Sequence, residues 1–153
     1  MKKYIIPVVL CVVIGFLLSK FMLNQYENKQ NITPFFKSGK DLYFIQYGVY
    51  STEENMKNNT KNLNYYIYNL NDGLYYVFIG ITSNEDNANK LKGYFKKEGY
   101  DTYIKEYNVS NKDFLEMIEY YDLLLDQTTD DDTIKSVCRQ VLEKYEELGN
   151  DEY

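Results

Sequence analysis

The residues best suited to chemistry lie on two short aromatic runs, Tyr43-Phe44-Ile45-Gln46-Tyr47-Gly48 and Tyr75-Tyr76-Val77-Phe78-Ile79-Gly80. Neighbours in a strand point to opposite faces. If Ile45, Tyr47, Val77 and Ile79 pack inward, then Phe44, Gln46, Tyr76 and Phe78 share the outer face. Tyr66 and Tyr68 on one further strand, and Tyr103 with Lys105 on another, are the corresponding outward residues. Rings arranged around one amide suit a saccharide. Sugar rings lay apolar C–H faces on aromatic rings, and their hydroxyl and N-acetyl groups take hydrogen bonds from Gln46, tyrosine hydroxyls and asparagines. The candidate glycan-contacting set is therefore Phe44, Gln46, Tyr66, Tyr68, Tyr76, Phe78 and Tyr103.

Other chemistry is excluded or disfavoured by composition. The chain has no histidine, no tryptophan and two cysteines, so Ser-His-Asp and Cys-His sites cannot be built within it. The loops after the aromatic runs hold no evident pair of carboxylates at the separation glycoside hydrolysis wants. Binding without catalysis, with no cofactor and no metal, is the expectation. Residues 126–137 are acidic, yet they lack the glycine at the sixth position and the glutamate at the twelfth that a calcium loop uses, so helix capping is their expected role. From residue 41 onward eleven bases face twenty-two acids. Nucleic acid is therefore not an expected partner, although single-stranded RNA can stack on strand aromatics in domains of similar element order.

The elements that must position these rings come from an internal repeat offset by 32 residues. Gly48, Ser51, Glu53 and Asn55 recur as Gly80, Ser83, Glu85 and Asn87. The repeat predicts strands over 42–47 and 74–79, each followed by a helix capped by Ser51 with Glu54, or by Ser83 with Asp86. Ala88, Leu91 and Phe95 form one face of the second helix. The first helix has only Met56 and Leu63, with Asn59 where Leu91 would repeat, and should pack less well. Strands over 65–70 and 102–107 complete the set, and Asn71-Asp72-Gly73 is a hairpin turn signal. The order is βαββαβ, an α+β fold with a four-stranded antiparallel sheet and both helices on one face.

Two appendages flank this unit, taken as residues 41–108. Residues 109–149 read as a helical hairpin. Ser110 with Asp113 caps its first helix, whose apolar residues include Phe114, Leu115 and Ile118. Ile134, Val137, Val141, Leu142, Tyr145 and Leu148 line the second, ended by Gly149. This hairpin either recruits a protein partner or covers the aromatic face, which would make the domain a protein-interaction module. Residues 150–153 are a tail. At the other end, residues 4–18 carry no charge and residues 1–23 suffice to cross a bilayer, with Lys20 snorkelling to the interface. An uncleaved single-pass anchor is favoured over a cleaved signal because no small-x-small site follows Leu18. Residues 24–40 read as a tether. The wholly basic leading flank places the N-terminus in the cytoplasm and the folded part outside it. Cys11 then lies in the membrane, leaving Cys138 as a small buried helix residue without a disulfide partner.

The strand Tyr43-Phe44-Ile45-Gln46-Tyr47-Gly48-Val49-Tyr50-Ser51, with Tyr75-Tyr76-Val77-Phe78-Ile79-Gly80 and Glu98-Gly99-Tyr100, resembles the SPOR domain, the sporulation-related repeat of bacterial envelope proteins, over residues 41–107. The resemblance implies noncatalytic binding of peptidoglycan, particularly glycan strands stripped of stem peptides, at division septa or in sporulating cells. An anchor and tether before the domain fit that family's usual architecture. Asn59 and the terminal hairpin depart from it.

Overall fold

Aromatic and β-branched residues fill four strands, and amphipathic stretches fill four helices, in a computed structural model that describes residues 39–150, with side chains to Leu148. The order is β1 Lys40–Tyr50, α1 Glu53–Thr60, β2 Ile67–Asn71, β3 Leu74–Thr82, α2 Glu85–Lys97, β4 Tyr103–Val109, α3 Lys112–Gln127 and α4 Asp131–Asn150. The sheet runs β2-β3-β1-β4 and is antiparallel throughout, as the βαββαβ reading requires. The expected anchor over 1–23, and the tether up to residue 38, lie outside the described residues. Among the described residues no helix is long and apolar enough to cross a membrane.

The sequence repeat is written into the pairing of the two central strands. Ile45 pairs with Gly80 and Gly48 with Val77; Phe44 pairs with Ile81 and Val49 with Tyr76; Tyr43 pairs with Thr82 and Tyr50 with Tyr75. Each couple maps onto the other by the 32-residue offset. Gln46 paired with Phe78 maps onto itself, so a local two-fold axis passes through that pair. Irregularities in the ladder flank it, leaving Tyr47 and Ile79 without partners, and these positions are again 32 apart. The two extra residues act as β-bulges that re-aim the strand. On β2, a two-residue turn with positive φ at Asp72 and Gly73 sets Asn71 opposite Leu74.

All three caps sit one residue later than expected. Thr52, Asn84 and Asn111 are the N-caps of α1, α2 and α3, accepting from the amides of Asn55, of Asp86 and Asn87, and of Phe114. Each follows the predicted serine, so the sequence offers two adjacent acceptors, and the one still in extended backbone before the first helical residue takes the role. Asp130 caps α4. Its carboxylate accepts from the amide and hydroxyl of Thr133 at 2.8 and 2.6 Å, which holds that carboxyl below its ordinary range. Helix α4 continues through Gly149 to Asn150, beyond its expected end.

Helices α1 and α2 lie on the face that carries Ile45, Tyr47 and Gly80. A Cβ added at Gly80 would come 3.3 Å from Ile45 and 3.4 Å from Leu91. Ala88, Leu91 and Phe95 are buried as expected. Helix α1 is eight residues long and buries only Met56 and Thr60. Asn59 turns back to bond the Asn55 carbonyl at 2.8 Å instead of packing.

The helical hairpin is part of the core. Phe114, Ile118, Leu125, Val137, Val141 and Leu142 are buried in one cluster with the sheet. Helix α4 follows β3. Its Cys138 and Leu142 line a cavity with Tyr94 and Phe95 of α2, while Tyr145 reaches Phe44 on the opposite face of the sheet. What fixes this placement is Asp122 of α3, a carboxylate 6% exposed. It accepts from the Ser83 amide at 2.8 Å, the Ser83 hydroxyl at 2.7 Å, the Thr82 hydroxyl, and the Asn87 amide at 3.4 Å. Lys90 of α2 donates to the carbonyls of Leu125 and Thr128 and so closes the end of α3. Removing the acceptor leaves several donors short of partners in a dry setting. Asp122→Ala should lose about 3 kcal/mol of stability in urea unfolding. A loss below about 1 kcal/mol would show that this cluster does not hold the hairpin.

Candidate functional site

Residues paired across antiparallel strands share a face. One row therefore reads Tyr103, Gln46, Phe78, Ile67; the row on one side holds Lys105, Phe44 and Ile81, and the row on the other holds Val49, Tyr76 and Asn69. Five of the seven expected residues, Phe44, Gln46, Tyr76, Phe78 and Tyr103, are thus together on the face opposite α1 and α2. Tyr66 and Tyr68 are not on that face, although Tyr68, between Ile67 and Asn69, also lines the groove described below. Tyr68 pairs with Val77, so it belongs to the helix side, and the ammonium of Lys57 on α1 senses both tyrosines. That ammonium is held above its ordinary value chiefly by its bond to Glu53, then by the nearby Tyr68 and Tyr66. The two-residue turn dictates this outcome, because Asn71 opposite Leu74 puts Ile67, not its neighbours, beside Phe78.

The aromatic face is not wet across its whole width, contrary to the open surface expected. Phe44 and Phe78 are 2% and 4% exposed, because the hairpin that needs a partner for its apolar stripe lays Tyr145 against Phe44, while Phe78 packs on Phe44 and Tyr107. Phe44 packs edge-to-face on Phe78, Tyr107 and Tyr145 at centroid distances of 5.4, 5.1 and 5.4 Å. Tyr145 in turn meets Phe114 at 5.2 Å. Such contacts add roughly 0.5–1.5 kcal/mol each beyond the area they bury. The half of the face away from the hairpin stays open: Tyr103 is 61% exposed, Val49 is exposed and Tyr76 is half-buried.

Where the covered and open halves meet there is a groove of about 390 Å³, crossing the sheet from Ile67 and Asn69 on β2, past Phe78 and Phe44, to Tyr107 and Asn108 on β4, with Tyr145 as one wall. A second hollow of about 190 Å³ adjoins it, sharing Asn108, Val109 and Tyr145. The first volume falls within the range of about 300–1,000 Å³ usual for small-molecule sites. Tyr107, Tyr145, Asn69 and Asn108 escaped the sequence reading of the site. Alternation from Tyr103 through Lys105 points to Tyr107; nothing local marks Tyr145. Partial burial, followed by the neighbouring Tyr76, pushes the Tyr107 hydroxyl above its ordinary pKa, so it remains a neutral donor at physiological pH.

Gln46 is the most informative residue on this face. It is 7% exposed, and its side-chain amide makes no hydrogen bond to any described residue. Among the described residues only Thr102 Oγ1 is cut off from both solvent and partners, so the amide of Gln46 still reaches solvent. A nearly buried amide with no protein partner costs stability, about 1–3 kcal/mol when its bonds stay unmade. The sheet therefore presents two donors and an acceptor between Tyr103 and Phe78, at the edge of the covered half.

No family model matches the chain, and no curated protein matches it. Among solved structures, the chain is similar to the peptidoglycan binding domain of the B. subtilis cell wall lytic enzyme CwlC, known from a solution structure. Identity is 32%, over 47% of this chain and 96% of that one, with a TM-score of 0.39.

A third hollow, of about 50 Å³, lies where α4 meets α2 and is lined by Tyr65, Tyr94 and Cys138 among others. Its groups serve stability. Tyr65 donates to Glu146 at 2.6 Å, and that bond pushes its hydroxyl up to about 12; burial does the same for Tyr94 and for the Cys138 thiol. All three are raised above ordinary values of 10.0, 10.0 and 9.0, so the fold favours their neutral forms. Their contribution is complete below pH 9 and is lost as pH climbs toward 12. The urea midpoint should therefore hold steady up to about pH 9 and fall between about pH 9 and 12, with Cys138 unreactive toward a thiol reagent until unfolding. A midpoint flat to pH 12 would contradict this.

Proposed function

We propose that this chain is a noncatalytic, peptidoglycan-binding protein of the bacterial envelope that takes glycan strands along the groove and the open half of its sheet. In this reading residues 1–23 hold it in the cell membrane, residues 39–150 lie outside the cytoplasm, and the protein serves cell division or sporulation. The observation that carries the proposal is the unpartnered, nearly buried amide of Gln46 among stacked rings, between exposed Tyr103 and the groove. Rings supply the apolar surface that sugar C–H faces need, and the amide matches an N-acetyl group donor for acceptor. The SPOR-like strand motif of the sequence supports the same assignment.

A protein-interaction module is the second reading, favoured by the hairpin over Phe44 and Phe78 and by the exposed Tyr120 and Leu123 on α3. Sedimentation of the full-length protein with purified sacculi separates the two. The wild type should co-sediment. Gln46→Leu should lower retention about tenfold while leaving the thermal midpoint unchanged or raised, because the amide it removes bonds no protein group but would bond the ligand. Tyr103→Ala should also weaken retention. Wild-type retention in both variants, or no retention of the parent, would refute glycan binding on this face.

A further inference from the structure

The two edges of the sheet are built differently. Strand β4, at one edge, carries Lys105 and Glu106, and charges there discourage a further strand from adding on. Strand β2, at the other edge, has none of the usual protections. Residues 62–71 hold no charge and no proline, in a chain of which 26% is charged. The register of β2 against β3 runs from Ile67–Phe78 to Asn71–Leu74 without a bulge. Tyr68 and Leu70 are 51% and 55% exposed, and among the described residues no strand lies beyond them. The two-residue turn at Asp72 and Gly73 makes Asn71 and Leu74 a hydrogen-bonded pair, so Asn69–Tyr76 and Ile67–Phe78 are bonded pairs too. The backbone amides and carbonyls of Tyr68 and Leu70 therefore point away from β3, along the bare edge.

We infer that β2 is an interface between two copies of this chain, pairing antiparallel with β2 of the second copy about a two-fold axis at Asn69. The strand is self-complementary in that register. Tyr68 lies opposite Leu70 of the second copy, and Leu70 opposite its Tyr68, so each pair exchanges both of its backbone hydrogen bonds. On one face the ring of Tyr68 covers the other copy's Leu70, and on the other face Asn69 meets Asn69 and Ile67 meets Asn71. A net charge of −6 sets two copies against one another, and this uncharged strand is where the repulsion is least. At its ends the register adds an attraction. Asp72 of the second copy comes opposite Tyr66, where the Lys57 ammonium lies near enough to feel Tyr66 and Tyr68. Within its own copy Asp72 bonds no described residue. Ring against leucine, amide against amide and acid toward ammonium all arise from the strand's own sequence read in reverse, which selects a second copy over a foreign strand. Asn69 lines the groove, so Asn69 of the second copy joins the end of that groove.

The test needs no glycan, so its failure is separate from failure of the glycan reading. Full-length protein in mild, density-matched detergent should dimerise in sedimentation equilibrium with a dissociation constant on the order of 10 μM, as suits a small interface. Leu70→Lys puts a charge on the exposed edge and should weaken dimerisation about tenfold with no change in thermal midpoint. A second measurement reads the register. In a Cys11→Ser background, Asn69→Cys should give a disulfide-linked dimer on mild oxidation, because a non-hydrogen-bonded antiparallel pair brings its Cα atoms to about 4.5 Å, within disulfide reach. Tyr68→Cys is equally exposed but sits away from its own counterpart, and should stay unlinked. A monomer at about ten times the expected dissociation constant, a dimer indifferent to Leu70→Lys, or linkage through residue 68 in preference to residue 69 would each overturn the pairing.

Discussion

Pairing of β1 with β3 about the Gln46–Phe78 couple constrains everything else in this molecule. Side chains alternate along a strand, so one inserted residue moves all that follow to the other face. The insertion at Tyr47 is matched by another at Ile79, and both strands switch together. As a result the two repeat glycines, Gly48 and Gly80, fall on the helix side, where α2 approaches Gly80 closely. Phe44, Gln46, Val49, Tyr76, Phe78 and Ile81 fall on the other side as one continuous face. A bulge on one strand alone would have split that face and left rings directed at the helices.

From this symmetric base the two halves diverge through a few substitutions. Leu91 and Phe95 give α2 an apolar stripe that settles over Gly80; Asn59, in the place of Leu91, bonds its own helix, and α1 stops after eight residues. Tyr50 then covers Gly48 instead. The second half also acquires the hairpin, held by Asp122 at the turn after β3. The covered side of the sheet becomes core, and the side nearer Tyr103, Val49 and Tyr76 stays open.

Much of this was legible in the residues themselves. The 32-residue repeat, the aromatic runs and the Asp72-Gly73 turn sufficed for the element order and the antiparallel sheet, because each is a local signal that the tertiary structure respects. The caps slipped by one residue because Ser51-Thr52, Ser83-Asn84 and Ser110-Asn111 each place two competent acceptors side by side, and only backbone geometry chooses between them. Tyr66 and Tyr68 went to the wrong face for want of a register, although the two-residue turn contained it. Asp122 was hidden for a different reason. A carboxylate in an acidic helix looks like solvated surface, and only the three-dimensional fold brings it to Thr82, Ser83 and Asn87. The covering of Phe44 and Phe78 likewise depends on where that one carboxylate anchors a hairpin whose apolar stripe fits many surfaces.

The character of the groove decides between ligand classes that share the aromatic requirement. Its walls, from Ile67 and Asn69 to Asn108 and Tyr145, contain no charged side chain. A single-stranded nucleic acid stacks bases on similar rings, but it also brings a phosphate for each of them, and its affinity comes largely from cations that follow the backbone. Lys105, on the row beside Phe44, is the one cation that strand pairing places on this face within the rows flanking Gln46, and the protein as a whole is acidic, with a net charge of −6. A neutral polymer loses nothing in such a setting. On the proposed glycan reading its hydroxyl and N-acetyl groups would meet asparagine, glutamine and tyrosine, and recognition would then depend on shape and hydrogen bonding more than on ionic strength.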